Sequence, residues 1–188
     1  MNFSENFLYH IWDGQHLAKE ITTISGNPVR IMFQGQWNTG AGPDFRNAVI
    51  QIGEEVCRGD VEIHKNSYDW IQHNHNEDPG YNNVILHVVF KHNAQYPYTL
   101  NEAGEKIEIL QIENFLDQDI SKLLIKYGST RFDYTPKEKC LFFVKEDFIV
   151  FETLHKLGIR RFERKIKRYS AELFFSDFEQ LVYQGIFE

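Results

Sequence analysis

The sequence predicts an α/β protein: a mixed β-sheet core with flanking helices over residues 1–112, followed by a helical region over residues 113–188. Three observations carry this prediction. Two runs, Phe45–Ile52 and Val56–Lys65, alternate in polarity on either side of a G-E-E turn, as paired strands do. Val84–Phe90 is an almost unbroken β-branched and apolar run, the mark of a strand covered on both faces. From Glu113 onward the apolar period changes from two to that of a helix.

A chain of 188 residues, 42% hydrophobic and 25% charged, is long enough to bury a core and has an ordinary globular composition. The formal net charge of −7 argues against coating nucleic acid by bulk electrostatics, while leaving room for a local basic channel. Sixteen Phe, nine Tyr and three Trp are read first as core. Cys57 and Cys140, far apart and without a C-x-x-C pair, indicate neither a disulfide framework nor a cysteine zinc site. The amino terminus has no basic region followed by an apolar run, and no segment has the length of a membrane span. A cytoplasmic protein with no membrane partner is therefore expected.

Taken in order, Phe3, Phe7, Leu8 and Ile11 fall at helical spacing over residues 3–12, with Asn2 or Ser4 as cap and Glu5 off the apolar stripe. L-A-K-E-I-T-T-I and V-R-I-M-F-Q-G-Q-W flank S-G-N-P and read as a hairpin. N-T-G-A-G-P then delivers the chain to Asp44 at the head of the first alternating strand. On the second, Asp60, Glu62 and His64 share one face and Val61, Ile63 and Lys65 the other. Ser67 caps a short helix reaching His73, with Asp69 in its first turn, and H-N-H-N-E-D-P-G is a polar loop. His87 interrupts the following strand. A further turn and strand follow, with Gly104 in a tight bend.

Phe115, Leu116, Ile120, Leu123 and Leu124 form the apolar face of a helix ending at Gly128. Beyond a P-K-E-K loop, helices are expected over 146–157, 159–174 and 177 to the end. The second carries Arg160, Arg161, Arg164, Lys165, Lys167 and Arg168, and between Arg160 and Arg168 the single acid is Glu163. This is either a solvated face or a surface for nucleic-acid phosphates. The apolar ending L-V-Y-Q-G-I-F-E is expected to pack on a missing carboxy-terminal part or on another chain.

Ionisable residues crowd between Gly42 and Phe90, and three readings compete for them. Asp44 and Glu62 on adjacent strands suit one hard cation, Mg²⁺ or Mn²⁺, which would polarise a phosphoryl oxygen and activate water. His73 and His75, with His64, His87 and one of Asp60, Glu62 or Asp69, would instead suit Zn²⁺. The third reading is structural: the carboxylates cap loops, the histidines satisfy buried groups, and the chain is a catalytically silent binding or scaffold domain.

The first pattern resembles the PD-(D/E)XK nuclease superfamily. Pro43-Asp44 matches the first half of its motif, and Glu62-Ile63-His64 matches the acid, the spacer and the third position. The expected order of elements also resembles that superfamily's core, which implies a restriction-endonuclease-like fold and a metal-dependent nuclease or phosphodiesterase. Asp44 and Glu62 would then be metal ligands, His64 base or ligand, and Glu5 or His87 would complete the shell. His64 departs from the pattern, which calls for lysine, and a one-residue shift puts Lys65 on the opposite face.

A closer resemblance spans most of the chain. A-G-P-D-F-x-N-A, G-D-V-E-I-H, D-W-x-x-H-x-H and Y-N-N-V-I-L-H-V-V, in that order, resemble an uncharacterised bacterial family defined as domain of unknown function 2851. That likeness implies a longer protein and brings no activity with it.

Overall fold

A computed structural model describes residues 3–127 and 147–187. The described residues fall into two compact units, one within Met1–Ser129 and one within Thr130–Glu188. The first is a mixed sheet with helices. Its strands are β1 (Ile21–Thr22), β2 (Pro28–Phe33), β3 (Gln36–Trp37), β4 (Phe45–Ile52), β5 (Glu55–Asn66), β6 (Val84–Lys91), β7 (Tyr98–Leu100) and β8 (Lys106–Gln111). They lie in the order β1-β2-β4-β5-β6-β8-β7, with β3 paired to β4. The run β1 to β5 is antiparallel, β5, β6 and β8 are parallel, and β7 is antiparallel to β8.

The parallel centre explains the apolar character of β6. Strands joined by crossovers are covered on both sides, and Val84, Leu86, Val88 and Val89 are all buried. β5 is covered in the same way, although its sequence alternates. From Gly59 to His64 every residue is buried, so the row that suggested a solvated polar face lies inside the protein. At Gly59 the strands approach so closely that an added Cβ would stand 2.5 Å from the Asn83 carbonyl oxygen and 2.4 Å from Ile85 Cγ2.

One core cluster joins helix α1 (Glu5–Asp13) to the sheet through Phe7, Leu8, Ile11 and Trp12, which meet Phe45, Val61, Ile63, Val88 and Leu110. Trp12 Nε1 donates to the Gln34 carbonyl at 2.9 Å, which satisfies the polar atom of a fully buried ring. A smaller cluster forms around Trp70 with Val84 and Ile107, in the β5–β6 crossover. Its indole donates to the Leu100 carbonyl at 3.0 Å.

Several local expectations are corrected. The crossover helix α2 is only Asp69–Gln72, and Ser67 does not cap it. Ser67 Oγ instead accepts the Asn93 and Ala94 N–H groups, both at 2.9 Å, fastening the crossover to the end of β6. The helix expected from Glu113 is broken: Glu113–Phe115 is a 3-10 turn, Leu116 is extended and bridged to Leu17, and α3 begins only at Ile120 (Ile120–Tyr127). The bridge with Leu17 holds Leu116 in a strand-like conformation that a helix cannot share. Within α3, Leu123 is buried in the first unit's core.

In the second unit, the separate helices expected on either side of Gly158 are one helix, α4 (Asp147–Glu172). A single interior glycine costs about 1 kcal/mol, which the flanking turns outweigh. After Asp177, whose carboxylate accepts the Gln180 N–H at 2.8 Å, comes α5 (Phe178–Phe187). The expected stop at Gly128, the P-K-E-K loop, Cys140, the cap at Asn2 and the helix start at Glu146 lie outside the described residues.

Candidate metal centre

The site is built where β4 begins. β4 pairs with β5 through Phe45 and Val61, so one step further Asp44 stands opposite Glu62. The two residues clamp each other across the gap. Asp44 N–H donates to Glu62 Oε2 at 3.1 Å, and Ile63 N–H, which runs past the end of β4, donates to Asp44 Oδ2 at 2.9 Å. On the other side of β5, Glu62 is in parallel register with His87. Asp44, Glu62 and His87 thus occupy one level across three adjacent strands.

His64 lies two residues beyond Glu62, on the same face of β5. His73 ends α2, and His75 opens a 3-10 turn at His75–Glu77. Between them Asn74 takes the left-handed conformation, φ 59° and ψ 28°, a geometry asparagine tolerates better than most residues. This reversal turns two histidines of a polar loop toward one point.

One nitrogen from each of His64, His73 and His75 lies within 4.8 Å of the other two. His64 Nε2 is 3.1 Å from His73 Nδ1 and 3.5 Å from Glu62 Oε1, while His75 Nε2 is 3.3 Å from the same carboxylate oxygen. His75 Nε2 is nonetheless buried without a hydrogen-bond partner among the described residues, because that contact lacks hydrogen-bonding geometry. His64 and His75 are buried and His73 is exposed, so the cluster opens to solvent on the His73 side.

Electrostatics set the protonation of this cluster. Burial, reinforced by the neighbouring imidazoles His87, His75 and His73, pushes the His64 pKa down to about 2. Burial does the same to His87, to about 3, and lowers His75. The carboxylates move the other way. Asp44 is raised by burial and then by repulsion from Glu62, and Glu62 by burial and the charge of Glu5. The centre therefore joins the neutral imidazoles of His64, His75 and His87 to acids that hold their protons unusually tightly. A divalent cation suits such a set, since metal ligands must be deprotonated and a cation compensates buried carboxylate charge.

Aromatic rings frame the histidines. Tyr81 stacks on His75 with centroids 3.8 Å apart, and Trp70 meets His75 edge-on at 5.3 Å and His87 at 5.1 Å. From α1, Tyr9 lies beside Asp44, and burial and then the Asp44 charge raise the pKa of its hydroxyl. Tyr81 is pushed up to about 12, mainly by burial and then by Glu62 and Asp44.

The residues singled out from the sequence thus separate into groups. Glu62, His64, His73 and His75 converge, Asp44 adjoins Glu62, and His87 stands behind His64 at 2.9 Å. Glu5 is near enough to raise both carboxyl pKa values. Asp60 serves elsewhere: it accepts the Asn47 N–H at 3.0 Å, where Asn47 with φ 57° forms a bulge between Phe45 and Ala48. At the same level the pairing of β5 with β6 passes over Ile85, so that Asp60 meets Val84 and Val61 meets Leu86. Asp69 accepts the Asn66 N–H at 2.9 Å and belongs to the crossover. Lys65 points away from His64, its ammonium 5.9 Å from the Phe3 ring.

Tyr9, Trp70 and Tyr81 were not foreseen as parts of the site. Tyr9 had a signal, since it follows Glu5 by four residues and so shares its helix face. In the second unit, the six basic residues lie at positions that span about 160° of the α4 surface at 100° per residue.

Fold and site together define a mixed-sheet α/β protein with a histidine-rich candidate metal centre. The family model described as protein of unknown function (DUF2851) matches residues 5–188, and the chain belongs to that family. No curated protein and no solved structure matches it. Among the described residues, no helix is long and apolar enough to cross a membrane.

Proposed function

We propose that this chain is a metal-dependent phosphodiester hydrolase whose cation is held by His64, His73, His75 and Glu62. One observation carries the reading: three imidazole nitrogens converge, with Glu62 Oε1 beside two of them, and the buried His75 Nε2 has no hydrogen-bond partner among the described residues. A donor set rich in nitrogen suits Zn²⁺, and also Mn²⁺, better than Mg²⁺, which prefers oxygen. The bound cation would supply Lewis acidity toward a phosphoryl oxygen.

The chain's own groups have distinct parts. Asp44, fixed through Oδ2 to Ile63 N–H, has a raised pKa that suits it to accept a proton from water near neutral pH. Glu62 is held by Asp44 N–H through Oε2, which leaves Oε1 toward the histidines. With its pKa driven so low, His64 is a neutral ligand rather than a base, and it cannot supply the positive charge of a lysine.

Phosphodiester as the substrate class draws support from the order of elements. Helix α1, antiparallel β2, β4 and β5, helix α2 and parallel β6 follow one another as in the PD-(D/E)XK resemblance, with Asp44 at the head of β4 and Glu62 within β5. The basic face of α4 is the surface proposed to contact nucleic-acid phosphates, offsetting a sheet region (residues 1–127) with seventeen acidic and nine basic residues.

The test is metal analysis of the purified protein, followed by hydrolysis of bis(p-nitrophenyl) phosphate and of labelled DNA and RNA with Zn²⁺, Mn²⁺ or Mg²⁺. Metal-dependent turnover that disappears in Glu62→Gln and His75→Ala is expected. Turnover unchanged in both variants would assign the activity to a contaminant. A protein that binds none of the three ions would be a scaffold.

A further inference from the structure

His87 is the most deeply placed histidine of the cluster, and the proposed cation does not need it as a ligand. Its ring is wholly buried in the middle of β6, between Glu62 on β5 and Ile109 on β8 in register, with Trp70 packed against it. Its Nε2 lies 2.9 Å from His64 Nδ1. Its Nδ1 is buried and finds no hydrogen-bond partner among the described residues.

We propose that His87 is the positioning residue of the centre: by accepting the Nδ1 hydrogen of His64, it fixes the tautomer in which His64 Nε2 is open to a cation. This inference rests on the metal-centre reading given above.

A neutral imidazole carries one N–H hydrogen, and the short contact between the two rings needs one donor and one acceptor. Only two arrangements satisfy it. In the first, His87 donates from Nε2, so His64 must carry its own hydrogen on Nε2, the atom that faces His73 and Glu62. That arrangement closes the ligand position. In the second, His64 donates from Nδ1, His87 presents a bare Nε2, and His64 Nε2 is free to bind.

The second arrangement has a cost, because it places the hydrogen of His87 on the unpartnered Nδ1. Buried donors without acceptors are rarer than under-used acceptors. The metal-free pair therefore favours the closed tautomers, and a cation selects the open ones. Neither ring gains or loses charge in the exchange; each moves one hydrogen from Nε2 to Nδ1. A metal-ligating histidine commonly has its second ring nitrogen oriented in this way, usually by a carboxylate or a carbonyl. Here the orienting group is another histidine, which has two tautomers of its own.

The experiment uses the full chain. Co²⁺ and Zn²⁺ affinities are measured by titration for the unsubstituted protein, His87→Leu and His87→Gln, with far-UV circular dichroism and unfolding midpoints recorded for each. His87→Leu should bind about 10–100-fold more weakly. His87→Gln, whose amide can still accept from His64, should recover most of the loss.

¹⁵N-resolved histidine spectra supply a readout that a purely structural role would not move. On adding Zn²⁺, His64 and His87 should both change from the Nε2–H to the Nδ1–H form. Equal affinity in His87→Leu, or a His87 tautomer unchanged by Zn²⁺, overturns the role of His87 while leaving the centre intact. Absence of Co²⁺ and Zn²⁺ binding in the unsubstituted protein overturns the centre itself. Should His87→Leu fail to fold, the spectra and His87→Gln still decide the question.

Discussion

In the sheet unit Glu62, His64, His75 and His87 are buried, whereas in the helical unit Phe151, Leu154, Phe162, Phe174 and Phe178 are exposed. Each region departs from the usual distribution of polar and apolar groups, and the departures have different physical meanings. Burying ionisable groups is costly unless they are paired, so a cluster that stays neutral by shifting its pKa values is a candidate functional site. Leaving large apolar groups in water costs less per residue. On α4 and α5, Phe162, Ile166, Leu173, Phe178 and Val182 line one pocket, beside the buried Leu181. The sheet unit is therefore expected to carry strict local requirements, and the exposed positions of the helical unit to tolerate change.

Core packing should separate the two regions most. Trp70→Ala is expected to destabilise the sheet unit by about 3–5 kcal/mol, and Phe162→Ala to change stability by no more than about 0.5 kcal/mol. Denaturant unfolding followed in the two regions by separate probes would measure both, and a large loss in Phe162→Ala would erase the contrast. Next comes metal affinity: His75→Ala, which removes a proposed ligand, should weaken Zn²⁺ by at least about 100-fold, with no comparable effect from His155→Ala on α4. Calorimetry decides it.

Gly59→Ala should cost about 1–3 kcal/mol, because its Cβ meets the Asn83 carbonyl. Gly158→Ala, with open space around it, should be neutral or stabilising. Thermal midpoints of the pair test this directly.

The pH dependence of the metal-free protein sharpens the comparison further. Raised carboxyl pKa values mean that the folded state binds more protons than the unfolded one. The contribution of Asp44 and Glu62 is therefore present below about pH 4 and is lost as pH rises through neutrality. His64 and His87, lowered, act in the opposite sense: their contribution is present above about pH 6.5 and is lost as pH falls. Above pH 6.5 the carboxylates act alone, and stability should decline there with a slope on the order of 1 kcal/mol per pH unit. Glu62→Gln or saturating Zn²⁺ should flatten that decline, and a slope unaffected by either would disconnect it from the centre.

The smallest effect belongs to the exposed Lys156–Glu152 pair at 3.5 Å, where Lys156→Ala should stay within about 0.5 kcal/mol in an unfolding titration.

Much of the sheet was legible because strand periodicity is local. Phe45–Ile52, the partner strand through Lys65 and the strand from Val84 were all readable from polarity, and Pro28 and Gly104 marked turns. Helix limits were less so. Gly158 looked like a boundary but lies inside α4, and Leu116 looked helical until its bridge to Leu17 claimed it. Of the site, the candidate types were legible and their grouping was not. Asp60 and Glu62 look equivalent in a period-two pattern, yet the Asn47 bulge occupies Asp60, and only Glu62 reaches the histidines.

Sequence alone determined that the chain has a mixed sheet followed by helices, that carboxylates and histidines crowd between Gly42 and Phe90, and that its motifs are those of its family. Tertiary structure decided that Asp44, Glu62 and His87 share one level across three strands, and that Asn74 turns His73 and His75 toward His64. The reason is physical. Side-chain direction along a strand follows from neighbouring residues, whereas the register of β5 against β6 is set by a crossover and by packing on both faces, which no local pattern encodes.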